Sequence, residues 1–446
     1  MAVAVRVVAW TLGLWLALLG APSQAQDAAV PQALPQLLPE SLAALLGRTL
    51  YLDPQVRSAQ SLLQAAQERN IQARSRIGPV LSIAHNGGTS NDLEFNLPVA
   101  RHTVRTDASL RWNLYNGGND LAEMGATEIE IEAARLDLQR AREEAAERIA
   151  LAYIELLRTD SLMPLGGQRL DEARRLVGLV QRQLEAGKAA ESDAHQAKAS
   201  LLDAEISQQQ LWADQESARR KLAALVNATV RPAQALALPA PPDADDLAQP
   251  SMDSGTVIAA RLRADAARQR VRPWQTVVAP RVDVEARQQL TDRTRPQTTT
   301  VQQFALSLFV RWELPLGGET LSRRTETERR AEAAMADAER VERLARAEWL
   351  SLTPLIQANS RAIEQLDRQI QQYNQLVRAG ELQFEAGRRT LAQLMGLSDS
   401  RFNAQQRLAE QAQRQFNNRV RQLNLAGALL PALGLAVAAH EAAATR

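Results

Sequence analysis

The chain has 446 residues, with Lys plus Arg at 52, Asp plus Glu at 51, four histidines, no cysteine and 4% aromatics. That near-zero balance lacks the basic excess of a nucleic-acid partner, and without cysteine neither a disulfide nor a lipid-modified N-terminal cysteine is possible. Ala, Gln, Arg, Glu and Leu dominate, which suits long helices better than a compact enzyme.

Residues 1–25 read as a secretory signal. Arg6 gives a thin positive region, residues 7–19 are apolar and uncharged, and Ser23-Gln24-Ala25 offers a small-x-small cleavage site. The mature chain then starts near Gln26 and leaves the cytoplasm. Residues 26–39 form an irregular lead-in, and 40–75 are helical by pattern, with Leu50-Tyr51-Leu52-Asp53-Pro54 inside the helix. From 104 to 115 the chain alternates. Val104, Thr106, Ala108, Leu110, Trp112 and Leu114 share one face, opposite Arg105, Asp107, Ser109, Arg111 and Asn113. That is a strand with one apolar and one wet face. A weaker strand over 80–84 precedes it, joined through an Asn/Gly-rich loop over 86–96.

A long, Ala-rich, charge-laced helix follows over 119–185, which if straight would stretch about 100 Å. Its seam of Ala134, Leu138, Ala141, Ala145, Ile149, Ala152 and Leu156 has coiled-coil spacing. Pro164 with Gly166-Gly167, and Pro354 further on, are expected to kink such helices. A tight turn at Gly187-Lys188 leads into a returning helix over 193–225, and a Pro/Asp-rich linker spans 231–254.

The second half then repeats the first. Trp112, Leu114 and Gly117-Gly118 recur as Trp312, Leu314 and Gly317-Gly318, and Leu184-Glu185-Ala186-Gly187 recurs as Phe384-Glu385-Ala386-Gly387, 200 residues on. Val282, Val284 and Ala286 alternate with Asp283, Glu285 and Arg287. After a turn-rich stretch over 291–300, the residues Phe304, Leu306, Leu308, Val310, Trp312 and Leu314 share a face. A turn at Gly387-Arg388 and a helix over 391–423 complete repeat 2. The domain reading is therefore repeat 1 over 40–230, repeat 2 over 255–425 and an apolar tail over 426–446. Four strands of roughly ten residues, apolar out and charged in, suit a transmembrane barrel wall, although alternation alone equally fits a soluble sandwich. The long helices favour the barrel. Four strands cannot close a barrel alone, so the strand count calls for oligomerisation.

The junctions 112–118 and 312–318 resemble the P-L-F-x-G-G element of the TolC family of outer-membrane export channels. The segments 183–187 and 383–391 resemble its F-x-x-G-x-x-[ST] turn. The resemblance covers nearly the whole mature chain. It implies a mainly α fold with a small β part: a homotrimer whose protomers each give four strands to one outer-membrane β-barrel, above a long periplasmic α-helical barrel. Gly117, Gly118, Gly317 and Gly318 then mark the strand-to-helix junctions. The turns form the periplasmic entrance, where Asp193 and Arg389 fall at positions of the closing network and Phe384 where relatives can carry a tyrosine. Gln393 and Gly396 stand where the best-known member carries an acidic ring, so the entrance offers neutral amides and little field. Gly187, Lys188, Ala189, Gly387, Arg388 and Thr390 are the expected docking surface for a periplasmic adaptor. The implied partners are that adaptor, an inner-membrane ABC or proton-driven transporter, and outer-membrane lipid. The missing lipidation site and the turn over 383–394 lean toward type I protein secretion over drug efflux.

Enzyme readings fare poorly. His85, His102, His195 and His440 are scattered without metal-ligand spacing, and no P-loop or G-x-S-x-G occurs. No catalytic group, cofactor or metal is expected. The competing reading is a periplasmic structural or adaptor coiled coil without a pore, which would not need two lipid-compatible hairpins.

Overall fold

The computed structural model describes residues 41–94, 97–228, 254–275, 279–295, 303–313 and 316–435. The expected signal peptide and lead-in, almost all of the linker and the last residues of the tail lie outside them, as do Leu314 and Pro315. In chain order the elements are α1 (Leu42–Thr49), α2 (Pro54–Ser75), β1 (Pro79–Glu94), β2 (Leu97–Asn116), α3 (Asn119–Glu185) and α4 (Glu191–Val226). Then come α5 (Gly255–Val271), β3 (Arg281–Arg295), β4 (Phe304–Arg311), α6 (Glu319–Glu385), α7 (Leu391–Leu425) and α8 (Leu429–Ala432).

The four strands form one antiparallel sheet in the order β1-β2-β3-β4, leaving β1 and β4 as open edges. Its register sorts the residues by face. Leu81, Leu110, Ala286 and Leu306 align in one row, and Pro79, Trp112, Val284 and Leu308 in the next. The opposite face carries the row Val80, Arg111, Glu285 and Ser307, in which Glu285 accepts from Arg111 (3.1 Å) and from Arg287 (2.8 Å). The β1, β2 and β4 members of the apolar rows are exposed in the protomer, as a surface that meets lipid would be, and Val284 and Ala286 of β3 are half-buried.

Strand lengths differ from the sequence expectation of about ten residues each. They run to 16, 20, 15 and 8 residues. The Asn/Gly-rich stretch expected as a loop is strand up to Glu94, and the turn-rich stretch after Thr291 is strand up to Arg295. Polarity misled the reading there, because antiparallel pairing satisfies the backbone whatever the side chains are. Cross-strand polar pairs line this extension, with His85 Nδ1 2.8 Å from Thr106 Oγ1 and Thr89 Oγ1 3.0 Å from His102 Nδ1. A strand that crosses a membrane needs only about 9–11 residues, and β1 and β2 exceed that length at their polar, hairpin end. Trp312 and Glu313, expected in β4, fall just past its end.

The expected single helix over 40–75 breaks at 50–53. Asp53 caps α2 by accepting from the backbone N–H groups of Gln55 (2.8 Å) and Val56 (3.3 Å), with Pro54 at the first helical position. The two long helices α3 and α6 each run 67 residues, unbroken through Pro164 and Pro354. Gly166 lets α4 approach. A Cβ there would overlap Gln208 and come within 2.6 Å of Leu211 Cδ1.

The N-terminal half of α3 packs on α2 and α5, and its C-terminal half on α4 and α7; α6 packs on α5 and α7. Half-way down sits the main core. Leu138, Ile149, Tyr153 and Leu156 of α3 meet Leu42, Leu45 and Leu46 of α1, Leu222 of α4, and Leu429 and Leu430 beyond α7. The start of the apolar tail is therefore core, driven by burial of its two leucines. No helix among the described residues is long and apolar enough to cross a membrane, which says nothing against a strand barrel.

Candidate functional site

The sites expected from sequence lie at opposite ends of the long helices. At the strand end, Gly118 and Gly318 occupy the N-cap positions of α3 and α6 with φ of +80° and +81°. Gly117 also has positive φ (+61°), whereas Gly317 does not. Trp112 Nε1 donates to the Ile77 carbonyl (2.7 Å), fixing its indole where the apolar rows end. An aromatic held at such a boundary suits a membrane interface.

At the far end, both turns are built alike. Gly187 N–H donates to Leu184 O (2.9 Å) and Lys188 N–H to Gln183 O (2.8 Å). Gly387 and Arg388 repeat these bonds onto Phe384 and Gln383 at the same distances. Both glycines have φ of +68°, the left-handed conformation of a Schellman C-cap that a β-carbon disfavours. Lys188 and Arg388 are exposed, while Ala189 packs against the apolar cluster of the tip.

That cluster joins the repeats. Val180, Ala194 and Ala197 meet Phe384, Leu391 and Leu394. Phe384 is buried there, so the position that lacks a hydroxyl serves packing. Thr390 and Gln393 form a capping box at the start of α7. Gln393 N–H donates to Thr390 Oγ1 and Thr390 N–H to Gln393 Oε1, both at 3.4 Å. In repeat 1, Asp193 Oδ2 accepts from Ala190 N–H (3.3 Å). Arg389 lies against Gly380 of α6. No ion pair or hydrogen bond joins Asp193 to Arg389 among the described residues of the protomer.

Sequence reading missed the charged ties just above the tip, which link α3 to α7. Arg169 Nη2 lies 2.9 Å from Asp399 Oδ1, and its guanidinium stands 5.0 Å from the Phe402 ring centroid. Glu172 accepts from Ser398 Oγ (2.9 Å) and pairs with Arg401. These partners are about 230 residues apart, so no local pattern in the sequence pairs them. Between the ties and the apolar cluster lies a cavity of about 250 Å³, lined by Leu176, Leu179, Val377, Phe384 and Met395. No group of His, Asp and Glu side chains suited to a metal occurs among the described residues.

The profile of the family described as "Outer membrane efflux protein" matches residues 45–228 and 254–428. The chain belongs to that family. Its fold is that of the TolC-like channels, in which each protomer gives four strands to a shared trimeric barrel, and members are passive channels, not enzymes. Solved structures similar to this channel include the outer-membrane channel OprN (20% identity, covering 87% of this chain and 90% of that one, TM-score 0.77). VceC of Vibrio cholerae is 22% identical over 88% of this chain and 96% of that one, with TM-score 0.75. CmeC of Campylobacter jejuni is 12% identical over 87% and 86%, with TM-score 0.77. No match was found among curated proteins.

Proposed function

We propose that this outer-membrane efflux channel is the exit duct of a tripartite system that serves type I protein secretion. In this reading the signal over residues 1–25 directs export, three copies close the barrel, and substrate is driven by an inner-membrane ABC transporter through a periplasmic adaptor. A chain with no cysteine has no acyl anchor and relies on its barrel for insertion, and this supports the secretion reading over drug efflux. The adaptor docks at the tip, on the surfaces around Gly187, Lys188, Ala189, Gly387, Arg388 and Thr390. The observation that carries this is the near-identity of the two turns, which offers an adaptor hairpin two equivalent seats per protomer and six per trimer.

Asp193 and Arg389 act as the latch of the closed entrance by pairing between neighbouring protomers, since they do not bond within one. If Arg389→Ala leaves conductance and antibiotic leakage unchanged, that assignment is wrong. The docking test is a photo-crosslinker at the exposed Lys188 position in living cells, with mass spectrometry of the adduct. Capture of an ABC-transporter adaptor supports secretion, capture of a proton-pump adaptor reassigns the channel to drug efflux, and capture of no adaptor refutes docking at the tip.

A further inference from the structure

The apolar face of the sheet is short on one side. β4 has 8 residues, which at about 3.4 Å each and a tilt of about 35–45° rise only about 20 Å, against a lipid-facing band about 25 Å tall. The residues that follow β4 continue the apolar cover. Trp312 is 57% exposed, Leu316 completely so, and Leu321, in the first turn of α6, 58%. Repeat 1 does the same from β2 into α3, where Trp112 is 47% exposed and Leu121 63%. Trp112 and Leu121 are the counterparts of Trp312 and Leu321, so both strand-to-helix junctions carry the same exposed pair. Large apolar side chains left uncovered at matched places mark a contact surface.

The helices show which side of the wall this surface takes. On the wet face of the sheet, Asn113 donates to Asp120 Oδ2 (3.3 Å) at the start of α3. The polar cavity on that side is lined by Asn119, Asp120 and Glu123 of α3 and by Arg323 and Thr327 of α6. At 3.6 residues per turn, Leu121 and Leu321 fall on the opposite sides of their helices from these groups. They therefore continue the outer face presented by Leu110 and Leu308.

That outer face turns polar at one level in both repeats. Seven and eleven residues beyond each leucine, positions that return to its side of the helix, stand Glu128 and Glu132 in α3 and Glu328 and Glu332 in α6. All four are ion-paired, to Arg74 (2.8 Å), Arg135 (2.6 Å), Arg324 (2.8 Å) and Arg329 (2.6 Å) respectively. About 10 Å of helix separates each leucine from the first glutamate. The interfacial layer of a bilayer, about 5–7 Å on each side of its hydrocarbon core, fits within that interval.

We propose that the first turns of α3 and α6 lie in the periplasmic interface of the outer membrane, with Leu121, Leu316 and Leu321 against lipid acyl chains. Bilayer lipid is the partner because this surface continues the strand rows that face lipid and ends where paired charges begin. Lipid contact thus extends from the strands onto the helical barrel and anchors both long helices at their N-terminal ends.

The chain has no native cysteine, so single cysteines can be spin-labelled one at a time in the trimer reconstituted into liposomes. Power saturation then compares accessibility to oxygen, which partitions into lipid, with accessibility to a water-soluble nickel chelate. Labels at Leu121→Cys and Leu321→Cys should favour oxygen, as a strand label at Leu110→Cys does. Labels at Glu132→Cys and Glu332→Cys should shift to the nickel-favoured values of water. Nickel-favoured labels at Leu121 and Leu321 would overturn the proposal. So would shielding of these two labels from both reagents, the signature of cover by a neighbouring protomer or an adaptor. A Leu110 label that itself reads as water would sink the lipid-facing wall and the proposal with it.

Discussion

Asp193 and Gln393 occupy the same position of the two repeats, 200 residues apart, and their side chains do the same work, each accepting from the backbone N–H three residues before it. The boxes differ in their other half. Thr390 returns a hydroxyl to Gln393 N–H, whereas Ala190 has none to return. Ala190→Thr should complete the repeat 1 box and stabilise the start of α4 by about 1 kcal/mol. Slower amide exchange at residues 191–194 would report it, and unchanged exchange would show that the first turn is held by other contacts.

The two turn glycines have open space around the point where a β-carbon would stand, so substitution there strains the backbone without crowding a neighbour. Gly187→Asn should be tolerated, while Gly187→Val should cost more than about 1 kcal/mol and uncouple export. Equal export by both variants would mean that the turn geometry does not matter for docking.

Arg169 and Glu172 hold α3 to α7 near the two tip turns. Glu172→Gln leaves the largely buried Arg401 without its anion, at a cost of about 1–3 kcal/mol. The tip should loosen, and channel conductance and antibiotic entry should rise. A variant with wild-type conductance would place these ties outside the gate.

Glu143 is buried in the mid-length core, where its Oε2 accepts from Leu430 N–H (3.3 Å). Burial pushes its carboxyl up to about 7, with backbone hydrogen bonds from Leu430 and Leu429 opposing. The folded protein thus holds a proton that the unfolded chain releases near pH 4.5. Stability from this group is full below about pH 4.5, falls as pH rises toward 7 and is then flat, a loss of about 3 kcal/mol. Glu143→Gln keeps an acceptor for Leu430 and should raise the Tm of the trimer at pH 8 while changing it little at pH 4.5. Equal shifts at both pH values would show that the carboxyl is ionised throughout.

The duplication, the long helices and both turns were legible because glycine pairs and seam spacing are local signals. The strand ends were not. Asn86 to Glu94 reads as loop by composition, yet pairs residue by residue with 97–105 because the partner strand, not the side chains, dictates pairing. Phe384 was legible as a tip residue but not as core, since its packing partners Val180 and Ala197 lie about 200 residues away. The ties from Arg169 and Glu172 were invisible for the same reason. Pro164 and Pro354 sit at inequivalent places of helices that are otherwise duplicates.

Single-channel recording of the purified trimer in a planar lipid bilayer tests the central claim most directly. Three four-stranded sheets closed into one barrel should give discrete conductance steps, with larger steps for Glu172→Gln. A trimer that inserts stably but passes no current in either form would contradict the account of this chain as a conduit.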